Sequence, residues 1–256
     1  MHTKHQYIAV FDSGVGGISV LRELIKQMPG ENFLYYGDSA NAPYGDRPTR
    51  QVQDLTLNAA RMLMERDIKA LVVACNTATA AAIEILRAQY PDTIIIGIEP
   101  ALKLAADRFP QGRVGVMATQ VTLREEKFAH QLERFPDMQV DLIPAPGLVE
   151  LIETGQTDSP QTLALLQQIL SPYAGKLDAL VLGCTHYPFV RHAIAQVLGE
   201  KTVLLDGGEG TARHTQRSLD AAGLLMSGPG NVLIENSQQD DSLLQLCATL
   251  LRKDFL

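Results

Sequence analysis

The fold class follows from the segment ALVVACNTAT at residues 70–79 and from its near copy, ALVLGCTHYP, at residues 179–188. Each opens with a short, continuous apolar run, followed by a small residue and then a cysteine. Such a run between polar segments is typical of a strand that is buried on both faces of a parallel sheet. Ligands of parallel α/β sheets bind beyond the carboxyl ends of the strands, so we expect the chemistry just after each run.

A second pair of segments repeats at nearly the same offset, because IAVFDS at residues 8–13 parallels VGVMAT at residues 114–119. Two matches in the same order predict two similar domains. If these domains face each other, equivalent strand ends lie on opposite sides of one cleft. We predict a first domain of residues 1–98 plus 207–256 and a second domain of residues 99–206.

The rest of the chain alternates apolar runs with amphipathic stretches, a pattern that predicts βαβ units. The predicted strands are Tyr7–Phe11, Phe33–Tyr36, Ala70–Ala74, Thr93–Ile98, Arg113–Met117, Gln139–Ile143, Ala179–Gly183 and Thr202–Leu205. The predicted helices are Val15–Lys26, Thr49–Arg66, Ala78–Gln89, Pro100–Arg108, Leu123–Arg134, Thr162–Leu170 and Val190–Leu198. The predicted fold is therefore α/β, with two similar domains of mainly parallel sheets flanked by helices and an active site in the cleft between them.

Composition narrows the class of protein. Apolar residues make up 46% of the 256-residue chain, enough for sizeable cores, and the net charge of −7 argues against nucleic acid or an anionic membrane as a main partner. No apolar run approaches the roughly 18 residues of a membrane span. The three cysteines form no CxxC pair, which argues against a redox or zinc motif. We expect a cytoplasmic protein with reduced thiols.

The loop DSGVGG at residues 12–17 follows the first predicted strand and precedes a helix. It lacks the dinucleotide-binding spacing, because Ser19 stands where GxGxxG requires its third glycine, and it has no Walker lysine. Its backbone N–H groups suit a small anion such as a carboxylate. The alternative is that Asp12 or Ser13 only caps the following helix.

Two of the cysteines lie where chemistry is expected. Cys75 stands at a predicted helix N-terminus, which favours a thiolate, and Asn76 and Thr77 follow it. Cys184 is followed by Thr185 and by His186, whose imidazole can tune the thiol or carry a proton. The alternative for each is a buried structural cysteine. The third, Cys247, lies in an amphipathic helical run and is interpreted as packing.

Paired thiols suit one reaction in particular. Inverting a carbon that bears hydrogen needs a base on one face and an acid on the other. A cysteine side chain, with a reference pKa of about 8.5, serves both roles after a modest shift. Two cysteines at equivalent ends of two similar domains match this requirement.

These motifs, together with residues 37–45, Thr119, Thr122 and Asp206, resemble the aspartate/glutamate racemase family and, within it, the glutamate racemases. The resemblance spans nearly the whole chain. It implies glutamate as the small-molecule substrate, D-glutamate for bacterial peptidoglycan as the product, no cofactor or metal, and a possible homodimer.

The resemblance also implies roles for residues. Cys75 and Cys184 exchange the proton, with Asp12 assisting on the Cys75 side and His186 with Glu153 on the Cys184 side. Glu150 competes with Glu153 for its role. The implied substrate-binding residues are Asp12, Ser13, Tyr44, Gly45, Asn76, Thr77, Thr119, Thr185 and His186.

Three alternatives remain open from the residues. The first is a sister racemase acting on aspartate or a hydantoin. The second is a non-catalytic clamp that binds small anions. The third is a hydrolase that uses Cys184 and His186, with Cys75 incidental.

Overall fold

A computed structural model describes residues 7–98, 101–124 and 126–253. It contains two sheets, and every strand pairing within them is parallel. The strands are β1 (Tyr7–Asp12), β2 (Asn32–Gly37), β3 (Ile68–Val73), β4 (Ile94–Gly97), β5 (Arg113–Ala118), β6 (Gln139–Pro144), β7 (Ala179–Leu182), β8 (Val203–Asp206) and β9 (Val232–Asn236).

The two sheets share one topology. The first sheet has the order β4-β3-β1-β2-β9, and the second has the order β6-β5-β7-β8. Apart from the extra edge strand β9, the two orders are equivalent. In each sheet the first strand lies between the second and the third, and the fourth strand lies outside the third. The strand order reverses between β1 and β3 and again between β5 and β7, and a ligand is expected at such points.

Helices flank both sheets. Along β1, Ala9 and Phe11 belong to one apolar core while Ile8 and Val10 belong to another, because successive side chains of a strand point to opposite faces. The helices are α1 (Ile18–Gln27), α2 (Thr49–Met64), α3 (Asn76–Gln89), α4 (Leu102–Arg108), α5 (Gln120–Arg124), α6 (Glu126–Leu132), α7 (Leu148–Glu153), α8 (Pro160–Leu170), α9 (Arg191–Leu198), α10 (Gly208–Ala221) and α11 (Asp241–Arg252).

The predicted fold class is confirmed, and all of the predicted strands are present. The first sheet takes its strands from residues 7–97 and 232–236, and the second from residues 113–206. We propose that these sheets mark the two domains with the boundaries given above. None of the helices among the described residues is long and apolar enough to cross a membrane.

The structure corrects the prediction in two places. Strand β9 lies where the sequence suggested only a turn and helical segments, and helix α7 was not predicted. The side chains of β9 are mostly half-buried at the sheet edge, so its apolar run is short and gave a weak signal. The helix predicted over 123–134 is described as α5 and α6, and the predicted start at Pro100 lies outside the described residues.

Candidate active site

Cys75 follows β3 and forms the N-cap of α3. Its Sγ accepts a hydrogen bond from the Ala78 backbone N–H at 3.4 Å and lies 3.5 Å from Ser13 Oγ. The side chain is buried. Burial, and secondarily the charge of Asp12, raises the pKa of the Cys75 thiol to about 12. Cys75 is therefore a protonated thiol at rest and a strong base once ionised.

Cys184 follows β7 and Gly183 at the equivalent place in the second sheet. Its Sγ lies 3.6 Å from Nδ1 of His186, and Nε2 of the same ring lies 2.5 Å from Oε1 of Glu153. Thiol, imidazole and carboxylate thus form a connected row, with His186 almost fully buried. This row can hold a proton next to Cys184.

The protonation of the row follows from its contacts. Burial favours a neutral His186, but its hydrogen bonds to Cys184 and Glu153 outweigh burial and place the pKa of His186 well above its ordinary value. Burial likewise raises the pKa of Glu153, but the hydrogen bond and the charge of His186 outweigh it and the net pKa is lowered. An imidazolium therefore faces a carboxylate at neutral pH, and both ring nitrogens carry protons.

Asp12 interacts with both sides of the site. Its Oδ1 accepts a hydrogen bond from the Gly14 backbone N–H at 3.1 Å, and its Oδ2 accepts one from Thr185 Oγ1 at 3.0 Å. Complete burial, opposed by the charge of His186, raises the pKa of Asp12 to about 6. The charge of Asp12 acts on Cys75, as the Cys75-side assignment requires, yet its side-chain hydrogen bond goes to the Cys184 side.

The glycines of the loop at 12–17 allow the second domain to approach closely. A Cβ added at Gly14 would lie 1.9 Å from Glu153 Oε1, and one at Gly16 would lie 2.4 Å from His186 Nδ1. The Val15 backbone N–H donates to Glu153 Oε1 at 2.7 Å. The loop thus binds a carboxylate, but that carboxylate belongs to the chain itself. The alternative of a side-chain cap is wrong, because α1 begins after Gly17 with no such bond.

Both thiols belong to one site. Ser13 Oγ lies 3.5 Å from Cys75 Sγ, and the neighbouring Asp12 accepts a hydrogen bond from Thr185, the residue after Cys184. The charge of Asp12 also acts on Cys75. The ends of β3 and β7 therefore meet across the cleft, while Cys247 lies on α11, buried but outside this pair.

The residues predicted to bind substrate surround the same cleft. Oδ1 of Asn76 is buried and accepts no hydrogen bond, which leaves an acceptor for an ammonium group. Thr77, Thr119 and Thr122 bring their hydroxyls within 3.0–3.3 Å of one another across the two domains. Gly45 lies against Thr119, whose Cβ would be 2.7 Å from a Cβ added at the glycine.

Besides Asp12 and His186, two more of the predicted binding residues are committed to internal contacts. The Tyr44 hydroxyl donates to Asp38 Oδ2 at 2.7 Å, and the Thr185 hydroxyl donates to Asp12. Of the two competing carboxylates on α7, Glu153 contacts His186, whereas Glu150 is exposed.

Ser39 lies within residues 37–45, part of the resemblance, but no role was predicted for it. Its hydroxyl donates to Glu153 Oε2 at 3.4 Å, just after β2 at the same sheet edge as Asp12. Across the described residues, no group of three His, Cys, Asp or Glu side chains converges in a way that could hold a metal ion. The absence of a cofactor remains a prediction.

Comparison with known proteins agrees with this geometry. The family described as Asp/Glu/hydantoin racemase matches residues 16–215. The glutamate racemase of Clostridium acetobutylicum is 46% identical over 255 residues, which is 98% of this chain and 99% of that protein. A crystal structure of a glutamate racemase isoform from Bacillus anthracis superposes with a TM-score of 0.86 and 32% identity, covering 96% of this chain and 93% of that one.

A third similar protein was solved with a ligand. The glutamate racemase of Francisella tularensis in complex with D-glutamate superposes with a TM-score of 0.84 and 26% identity, covering 98% of this chain and 95% of that one. Sequence and structure therefore agree along nearly the full length, and this chain belongs to the Asp/Glu/hydantoin racemase family.

Proposed function

We propose that this chain interconverts L-glutamate and D-glutamate by two-base proton transfer at Cα, without a cofactor, and so supplies D-glutamate for peptidoglycan. The observation that carries the proposal is the pair of buried thiols, Cys75 and Cys184, at matching strand ends of two similar sheets. Each thiol faces the cleft from a different sheet, so each can serve one face of the substrate carbon.

In the proposed reaction, the thiolate of one cysteine removes the Cα proton while the thiol of the other delivers a proton to the opposite face. The two sulfurs exchange roles for the reverse direction. With a pKa of about 12, Cys75 is a stronger base as a thiolate than the thiolate of free cysteine in water. In the direction in which Cys75 is the base, its resting proton must first leave the sulfur, and the carboxylate of Asp12 on this side of the site can accept it. On the other side, His186 holds a proton 3.6 Å from Cys184 Sγ and can transfer it as that sulfur changes its charge.

The substrate would be held by groups from both domains. The buried Asn76 Oδ1 can accept from the substrate ammonium, because it lacks a donor in the free protein. The hydroxyls of Thr77 and Thr119 can turn towards a carboxylate, and Ser13 lies beside Cys75 for the same purpose. Closing these groups around the substrate would exclude water and keep each thiol on its own face.

Glutamate is favoured over aspartate or a hydantoin because the relatives with 41–46% identity over nearly the full chain are named glutamate racemases. A non-catalytic anion clamp would leave both buried thiols without a role. We place the protein in the cytoplasm, where its thiols stay reduced, and a homodimer remains a prediction.

The proposal is tested by measuring turnover on L-glutamate and L-aspartate side by side with the purified protein and no added cofactor. We expect D-glutamate to form and L-aspartate to remain unchanged. Preferred turnover of aspartate would assign the chain to the sister activity, and no turnover of either would favour the binding alternative.

A further inference from the structure

The carboxylate of Glu153 is held mainly by the domain it does not belong to. Glu153 ends α7, beside the second sheet, yet two of the three donors that it has among the described residues follow strands of the first sheet. The Val15 N–H donates to Oε1, and the Ser39 hydroxyl donates to Oε2 at 3.4 Å. His186 is the third donor and shares Oε1. Ser39 is therefore the donor that fixes the second oxygen.

Ser39 is in turn held by the end of β9. The Asn236 side-chain amide donates to Ser39 Oγ at 2.9 Å, and Gln238 Nε2 donates to the Ser39 carbonyl at 3.1 Å. Ser39 and Asn236 are both buried. A serine hydroxyl has one proton, and Asn236 occupies one of its acceptor positions. The single hydroxyl proton of Ser39 is thereby directed at Glu153.

We infer that Ser39 and Asn236 are positioning residues that act through Glu153 on the His186–Cys184 pair. Asn236 orients the Ser39 hydroxyl, Ser39 fixes Oε2, and the fixed carboxylate keeps the imidazole of His186 aligned with Cys184 Sγ. The contacts require β9, the strand that distinguishes the first sheet from the second. The effect on turnover rests on the proposed function, whereas the effect on the Glu153 carboxylate does not.

The electrostatic consequence has a definite sign. A hydrogen bond donated to a carboxylate stabilises its ionised form and lowers its pKa. The groups whose charges interact with Glu153 include His186, which lowers its pKa, together with Asp12 and Cys247. Removing the Ser39 hydroxyl leaves these charges in place and takes away one of the hydrogen bonds that oppose burial. The pKa of Glu153 should therefore rise.

The direct test is a titration of the Glu153 side-chain carboxyl by ¹³C NMR, with the signal assigned by Glu153→Gln. We expect a higher midpoint in Ser39→Ala than in the wild-type protein, and a smaller rise in Asn236→Ala. The double variant should show no further rise beyond Ser39→Ala, because Asn236 acts through Ser39. An unchanged midpoint in Ser39→Ala would overturn the inference.

Ser237→Ala is the matched control. Its Oγ accepts from the Ala40 N–H at 2.9 Å, so it joins the same two segments as Asn236, but Glu153 is not among its partners. The titration midpoint of Glu153 in Ser237→Ala should equal that in the wild-type protein. If Ser39→Ala does not fold, as judged by circular dichroism, Asn236→Ala decides the question, and an unchanged midpoint there overturns the inference.

Turnover gives a second readout. Ser39→Ala should lower kcat by about tenfold, near the low end of the loss expected from one hydrogen bond to a charged group, with KM little changed. The acid limb of the pH profile of kcat should move to higher pH in Ser39→Ala. Ser39→Thr should restore both kcat and the position of that limb. Turnover in Ser39→Ala equal to that in Ser237→Ala would overturn the inference. A wild-type protein inactive on glutamate would refute the proposed function and leave the titration to decide the positioning role.

Discussion

The two thiols end equivalent strands, yet their surroundings differ. Cys75 has a hydroxyl and a backbone N–H as its polar neighbours, whereas Cys184 lies beside an imidazole that is paired with a carboxylate. The repeated fold thus sets the position of each sulfur, and the local partners set how each proton is handled. On one side a buried thiol keeps its own proton, and on the other a protonated imidazole lies beside the sulfur.

The largest effect should come from removing either thiol. Cys75→Ser and Cys184→Ser should each reduce racemisation by about a thousandfold or more, because serine is too weak an acid to act as the base. Circular dichroism should show an intact fold. Cys247→Ser is the matched control, since this buried cysteine lies on α11 outside the pair, and it should keep nearly full activity. Full activity in either of the first two variants would end the two-thiol account.

Next in size should be the effect of crowding the Cys184 side alone. In Gly14→Ala the new Cβ would lie 1.9 Å from Glu153 Oε1, so the carboxylate must move away from His186. We expect kcat to fall by about tenfold to a hundredfold. Gly210→Ala is the control, because nothing lies within 4 Å of its added Cβ, and it should leave turnover unchanged. Wild-type turnover in Gly14→Ala would mean that the Glu153–His186 contact is dispensable.

The asymmetry itself should appear in isotope effects. His186→Asn should enlarge the Cα–²H isotope effect in the direction in which Cys184 removes the proton, and Asp12→Asn should do so in the Cys75 direction. The equilibrium constant cannot change, so kcat/KM must change by the same factor in both directions. Asp12 is the more revealing variant, because its hydrogen bond reaches Thr185 while its charge acts on Cys75. Isotope effects that rise equally in both directions would reduce both residues to positioning the substrate.

The smallest effect concerns stability. Burial raises the pKa of Asp12 from 3.8 to about 6, so the folded protein binds this proton more tightly than the unfolded chain. The contribution of this proton to the free energy of unfolding is complete below pH 4 and is lost as the pH rises through about 6. Asp12→Asn should therefore gain about 3 kcal/mol in free energy of unfolding at pH 7 relative to the wild type, and less at pH 4. Urea denaturation at both pH values measures this, and a gain that is larger at pH 4 would contradict it.

Much of the fold could be predicted from the sequence because its central strands are buried on both faces. ALVVA and ALVLG read as continuous apolar runs, and the cysteine after each run marks the sheet edge where the site lies. Strand β9 gave a weaker signal, since an edge strand with half-buried side chains needs few apolar residues.

The details of the site depend on contacts between distant segments. The loop at 12–17 was predicted to suit a small anion, and the structure adds that its Val15 N–H donates to Glu153, a carboxylate 138 residues away in the sequence. Local sequence could not choose between Glu150 and Glu153, because both lie on one short helix that the pattern did not reveal. Ser39 and Asn236 are further examples, joined over 197 residues by a single side-chain bond.

The central claim is that two different groups handle the proton on the two faces of Cα. It is tested most directly by following L-glutamate in D₂O through the first few per cent of conversion. The account predicts deuterium at Cα of the D-glutamate formed and protium in the L-glutamate that remains, because the proton removed by one thiol is not the one delivered by the other. D-glutamate that retains the substrate's own protium would show that a single base serves both faces, and would contradict the account.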